Sequence, residues 1–178
     1  MTPHSIALLA KYNQWINAHL YDACERLDPA ELCADKGAFF GSILATLNHI
    51  AVADTLWLRR FVQQVASSQI LTDIERFPNP TSLRDTVATE LGELRSYRHG
   101  LDEVIMRWVA ELDAEKLAAS LRYTNTAGVA HCKCLGDLLL HFFNHQTHHR
   151  GQVTTLLFQS GVDVGVTDLV TLIPDSDA

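Results

Sequence analysis

No stretch of eighteen consecutive apolar residues occurs in this 178-residue chain, so nothing in it is expected to span a bilayer as a helix. Basic residues are scarce. Lys plus Arg number 14 against 21 Asp plus Glu, a formal charge of −7. Nucleic acids and anionic membranes are gripped mainly by clustered Lys and Arg, so this balance argues against both as partners. The start, Met1-Thr2-Pro3-His4-Ser5, lacks the basic end and apolar stretch of an export signal, and a cytoplasmic setting is expected. Cysteine is limited to Cys24, Cys33, Cys132 and Cys134, with no C-x-x-C, so reduced thiols are expected rather than a disulfide framework. Also missing are internal repeats, low-complexity tracts, flexible linkers, a glycine-rich phosphate loop, a nucleotide motif and a Ser-His-Asp order.

What the chain does have is apolar material, 47% of it, in helical rather than strand spacing. That is enough for the core of one domain over residues 1–178. The spacing predicts four long helices. The first covers about Thr2 to Leu27, with Thr2 as cap, Pro3 in the first turn and Asp28-Pro29 as stop. The second covers about Ser42 to Val65, with Ser42 as cap. Phe77-Pro78-Asn79-Pro80 then breaks the chain. The third covers about Ser82 to Leu112, on a stripe that begins with Leu83 and Val87. The fourth covers about Leu135 to Ser160, ended by Gly161 as a left-handed cap. Arg122 to Val129 reads as a short hairpin around Ala127-Gly128, and Val162 to Ala178 as a surface tail. The expected class is all-α: a four-helix bundle with long crossover connections at about 28–41, 66–81 and 113–134.

Nine histidines are the odd feature of the composition, and four of them, His141, His145, His148 and His149, fall within nine positions. At ~100° per residue, His141, His145 and His149 form one stripe, and Gln152 returns to it. Two imidazoles at i and i+4 point the same way and can share an ion. All three cannot, because ~12 Å of helix rise separates His141 from His149 while Zn–N bonds are near ~2.1 Å. The pair is therefore His141 with His145, or His145 with His149. A third ligand must come from another helix. His49, set among Leu47, Ile50, Val52 and Ala53, is the best candidate, because an imidazole there loses its hydration unless something binds it. Three ligands and an open position describe a catalytic metal site better than a structural one. The absence of a Glu after His145, where Gln146 stands, argues against a zincin-type protease. His4, His19 and His99 read as solvent-facing. His131-Cys132-Lys133-Cys134 lacks the second cysteine pair of a thiolate site and reads as loop packing.

Two runs carry a family likeness. Phe40-Gly41-Ser42-Ile43-Leu44-Ala45-Thr46-Leu47-Asn48-His49-Ile50, followed by Asp54 and Trp57, resembles the DinB family. So does Asn144-His145-Gln146-Thr147-His148-His149-Arg150-Gly151-Gln152, with Gly161 and Val166-Thr167-Asp168-Leu169 after it. The likeness runs through nearly the whole chain in order. It implies an up-down-down-up four-helix bundle, commonly a homodimer, and a divalent metal held by His49, His145 and His149. That leaves His141 outside the ligand set, with His141 and Gln152 as pocket residues and His148 as a non-ligand. Asp137, one turn before His141, would fix its tautomer or complement the helix dipole.

Imidazole ligands suit Zn²⁺ and Ni²⁺ without excluding Fe²⁺, Mn²⁺ or Co²⁺. Wider relatives include transferases and isomerases that use low-molecular-weight thiols. The first functional expectation is thus a metal-dependent enzyme, a thiol-dependent S-transferase or a hydrolase, with metal-activated water or thiolate as nucleophile. The second is a non-catalytic metal-binding stress-response protein acting through dimerisation or partner binding. The third is a metal-free polar cluster in the core. A fourth protein ligand, His141 or His148, would favour the second over the first.

Overall fold

The computed structural model describes residues 1–62 and 73–175. Helix α1 spans Pro3–Cys24. Thr2 Oγ1 accepts the Ser5 N–H at 3.1 Å, and Pro3 occupies the first turn, where a missing N–H costs nothing. Ile6, Ala10, Ile16, Leu20 and Cys24 are buried on one face. The Asp28 carboxylate then caps a short helix, α2 (Pro29–Cys33), by accepting from the Ala30 N–H at 2.8 Å. Helix α3 spans Ile43–Val62, with Ser42 Oγ accepting from the Ala45 N–H at 3.1 Å. The expected extension of this helix to Val65 lies outside the described residues.

The third expected helix is shorter than its apolar spacing suggests. Helix α4 spans Leu91–Val109, and residues 81–90 are not helical. Two side chains hold that segment open. Asp85 accepts from the backbone N–H groups of Thr81 (2.7 Å) and Ser82 (3.1 Å). Asn48, on α3, accepts from the N–H groups of Val87 (2.9 Å) and Ala88 (3.2 Å) and donates to the Ala88 carbonyl (3.0 Å). These bonds offer the backbone an alternative to a helical ladder, the reason Asn and Asp disfavour helix interiors. Leu83, expected on an apolar stripe, is 41% exposed.

After the short α5 (Ala114–Ala118), strands β1 (Ser120–Thr124) and β2 (Ala130–Cys134) pair antiparallel, Ser120 opposite Cys134. The chain turns at Ala127-Gly128 as expected, but the strands reach beyond the expected Arg122 to Val129, and His131 to Cys134, expected as loop, belong to β2; the hairpin makes the fold mostly helical rather than all-α. Asn125 Oδ1 accepts from Ala127 and Val129, and Gly128 takes φ +79°, a conformation that favours glycine. Helix α6 spans Leu135–Gln159 and ends as expected at Gly161, φ +82°, with the Val162 N–H returning to the Leu157 carbonyl at 2.9 Å. The tail crosses the surface, tied by the Tyr12 hydroxyl to the Thr167 carbonyl at 2.7 Å and by Arg26 to the Asp163 carbonyl at 2.5 Å.

The long helices form a helical bundle in which α1 and α3 each pack against both α4 and α6. Its apolar centre is Phe61 stacked on Trp108 (centroids 5.0 Å) and edge-on to Phe142 (5.9 Å), all three at most 1% exposed. Burial of each such ring contributes ~1.5–3 kcal/mol. The bundle also has a buried polar layer. Asp54 of α3 accepts from Arg98 of α4 and from Gln146 of α6 (2.6 Å). Asp102 accepts from Asn13 (2.8 Å) and Asn17 (3.1 Å) of α1, and lies 2.9 Å from Arg98 Nη2. Arg150 of α6 donates to Asn13. This layer ties all four long helices together and fixes how α6 is rotated toward α3.

Candidate metal centre

Helices α3 and α6 run in opposite directions across their contact: Phe61 meets Phe142, Trp57 meets His141, Asp54 meets Gln146, and His49 meets His145 and His149. One turn of α6 carries the last two imidazoles, and α3 supplies the first. His145 Nε2 lies 3.3 Å from His49 Nε2 and 3.1 Å from His149 Nε2. One nitrogen from each ring falls within 4.8 Å of the others. His49 is 6% exposed, His149 8%, and His145 half-buried.

The tautomers of the outer two rings are set by their other nitrogens. His49 Nδ1 faces the Leu83 carbonyl at 3.0 Å, which only accepts, so the ring proton is on Nδ1 and Nε2 carries a lone pair. His149 Nδ1 likewise donates to Gln152 Oε1 at 2.9 Å, and the Gln152 amide is oriented by its Nε2 donating to His148 Nε2 at 3.2 Å. Two lone pairs therefore converge on His145 Nε2, which can hydrogen-bond to only one of them. Burial is the main force pushing all three imidazoles below the ordinary histidine range. The charge of its neighbours adds to this for His145, which falls to about 3. Three neutral rings with facing nitrogens make a donor set that could hold a divalent ion. A tetrahedral centre with Zn–N near ~2.1 Å spaces its nitrogens by ~3.4 Å, close to the two separations found. Among the described residues, no fourth His, Cys, Asp or Glu joins this group.

Phe40 completes the site. Gly41, at φ +83°, closes a turn whose N–H bonds to the Ala38 carbonyl at 2.8 Å, and that turn lays the Phe40 ring on His49. The rings are stacked, centroids 4.0 Å apart, and Phe40 meets His149 edge-on at 5.5 Å. An open groove of about 450 Å³, lined by Phe39, His148, Gln152 and Leu156 among others, borders this side.

Of the residues singled out in the sequence, His49, His145 and His149 come together. His141 does not: it is exposed, one turn away, its ring 6.0 Å from His145 and edge-on to Trp57 at 5.4 Å. His148 is exposed and engages Gln152, which in turn holds His149. Asp137 stays exposed in the first turn of α6 and makes no hydrogen bond to His141. His4 and His99 are exposed as expected. His19 is not solvent-facing as expected but half-buried: its ring packs on Trp15 (centroids 4.4 Å) and its Nδ1 donates to the Trp15 carbonyl at 2.8 Å. Cys132 is exposed on β2, while the Cys134 thiol donates to the Leu117 carbonyl at 3.2 Å. Sequence reasoning missed the Leu83 carbonyl, because residue 83 was placed in a helix. It also missed the Asn48 clamp, although Asn48 sits among buried residues of an apolar helix, a signal in itself.

The family model described as the DinB family matches residues 1–175. Protein DinB of Bacillus subtilis (strain 168) is 26% identical over 160 residues, covering 90% of this chain and 88% of that protein.

Proposed function

Because the chain belongs to the DinB family, we propose that His49, His145 and His149 bind one divalent metal ion and that the centre serves a metal-dependent reaction, a thiol-dependent S-transfer or a hydrolysis. The observation that carries this reading is the pair of imidazoles whose Nδ1 atoms are committed to Leu83 and Gln152, leaving their Nε2 atoms aimed at His145. Zn²⁺ and Ni²⁺ suit three neutral imidazoles best, with Fe²⁺, Mn²⁺ and Co²⁺ as alternatives. Bound there, such an ion would supply Lewis acidity to a reactant in its remaining position. The protein's own part is to hold the three nitrogens, to keep them unprotonated by burial, and to shield one side with Phe40. His148 is engaged with Gln152, and His141 stands a turn away. This supports an open position over a closed structural site, and hence the enzyme over the stress-response binding protein. An up-down-down-up connectivity, a homodimer, a cytoplasmic setting and a low-molecular-weight thiol as reactant belong to the same reading.

The test is metal content by inductively coupled plasma mass spectrometry on untagged protein. About one equivalent per chain is expected in the wild type, and its loss in both His49→Ala and His145→Ala. A folded wild type that takes up neither Zn²⁺ nor Ni²⁺ would refute the metal reading.

A further inference from the structure

On the side of His145 away from Phe40, the site continues as an aromatic wall. His141 lies 6.0 Å from His145, Trp57 5.4 Å from His141, and Tyr123 of β1 5.3 Å from Trp57, centroid to centroid. The wall carries positive charge in a chain that is net negative. The Arg60 guanidinium lies over the rings of Trp57 (4.7 Å) and Tyr123 (5.4 Å), half-buried against them. On β2, Lys133 is exposed and lies opposite Leu121, which by strand alternation puts it on the same side of the hairpin as Tyr123. Among the described residues, neither cation has an ion pair. Residues 63–72, which follow α3, contain no Asp or Glu. Asp137 is the acid nearest His141 in sequence, and it pairs with neither. Arg76 over Phe77 and Arg84 over Phe39 also have no ion pair among the described residues, but Arg60 is set apart by lying over two rings of a wall that leads to the three-histidine cluster.

A cation parked on aromatic faces loses hydration, and the ring quadrupole replaces only part of it. Arg60 also occupies the last turn of α3, where the helix dipole favours it, but that does not account for its stacking on two rings. An anion would complete the pairing. A guanidinium plane beside indole and phenol faces suits a carboxylate attached to a flat or apolar body, through paired N–H donors and stacking.

We propose that the wall of Trp57, Tyr123 and His141, with Arg60 and Lys133 at its edge, binds the carboxylate-bearing end of an organic substrate whose other end reaches the three-histidine centre. This rests on the functional reading above, but the wall stands on its own side chains and can be tested without turnover.

The test uses the full chain, metal-free and Zn²⁺-loaded, titrated with 4-phenylbutyrate, with 4-phenylbutyramide as its uncharged counterpart and with inorganic phosphate. Isothermal calorimetry reads affinity, and the His141 imidazole NMR signals read location. The carboxylate is expected to bind to both forms and to shift His141. Its affinity should fall about tenfold or more in Arg60→Gln and less in Lys133→Gln. The amide should bind at least about tenfold more weakly than the carboxylate to wild type. Arg60→Lys, which keeps the charge but loses the flat donor fork, should fall between, and it serves if Arg60→Gln fails to fold. Equal binding of acid and amide, indifference to both Arg60 substitutions, or no binding at all would overturn the proposal. Phosphate shifting His141 at lower concentration than phenylbutyrate would overturn the carboxylate assignment. Metal uptake is measured on the same samples. Metal bound without the carboxylate defeats the wall alone, and carboxylate bound without metal defeats the metal reading alone.

Discussion

Gln152 offers the sharpest test of how the centre is built, because it touches His149, a proposed ligand, without being one. Its Oε1 accepts from His149 Nδ1 at 2.9 Å, which keeps the ring proton away from Nε2. Gln152→Ala removes that acceptor. The His149 proton can then sit on either nitrogen and the ring is free to turn, so part of the population presents an N–H where a lone pair is needed. Loss of such an outer partner costs about 10–100-fold in metal affinity, or about 1.4–2.7 kcal/mol. Gln152 is half-buried and its other bond, to His148, is exposed, so fold stability should change by less than about 1 kcal/mol. Gln152→Glu keeps an acceptor with added charge, and should bind metal at least as tightly as the wild type. Competition against a chromophoric Zn²⁺ chelator measures all three affinities. The order expected is Glu at or above Gln, and Ala well below. Equal affinities for Gln152→Ala and wild type would refute the tautomer argument. So would Gln152→Ala and Gln152→Glu falling together, because proton placement on His149 would then not control the centre.

Asn48→Ala should cost about 2–4 kcal/mol of stability, since it leaves the backbone N–H groups of Val87 and Ala88 and the Ala88 carbonyl without partners. It should also weaken metal binding by releasing the segment that brings Leu83 to His49; denaturant melts and the same chelator assay read both, and a destabilised variant with unchanged affinity would break that link. Asp54→Ala takes away one of the two carboxylates on Arg98 and the acceptor of Gln146, while Asp102 stays at 2.9 Å, and should cost about 1–3 kcal/mol, a Tm drop of about 2–12 °C by thermal melting. A drop under about 2 °C would mean that the buried layer contributes little. Metal-free protein should lose stability in acid. The folded pKa values of His49, His145 and His149 lie below the unfolded value of 6.5, so the folded state binds fewer protons, and stability present above pH 6.5 is lost as pH falls toward about 3. Denaturant midpoints across that range should slope less in His145→Gln; parallel slopes would show that the cluster does not control the acid response.

The main helices and the histidine cluster were legible in the chain because their signals are local. Caps at Thr2, Ser42 and Gly161 satisfy backbone groups within one turn, and the i/i+4 spacing of His145 and His149 fixes a shared face whatever surrounds the helix. Local geometry left His141–His145 and His145–His149 equally open, and the packed helices bring the rings of His145 and His149 to His49. Which imidazole pair faces His49 depends on the rotation of α6 against α3, set by Asp54, Arg98 and Gln146 across three helices. Residues 81–90 kept an apolar period but not a helix, because Asn48, some forty positions away, holds their backbone open. The sequence by itself therefore determined the helices and the residue types able to hold a metal, through interactions spanning one or two turns. Only the tertiary structure decided which nitrogens converge, where the ring protons of His49 and His149 sit, and that Arg60 stands on an aromatic wall with no ion pair among the described residues, because those depend on partners distant in the chain that meet only when the bundle closes.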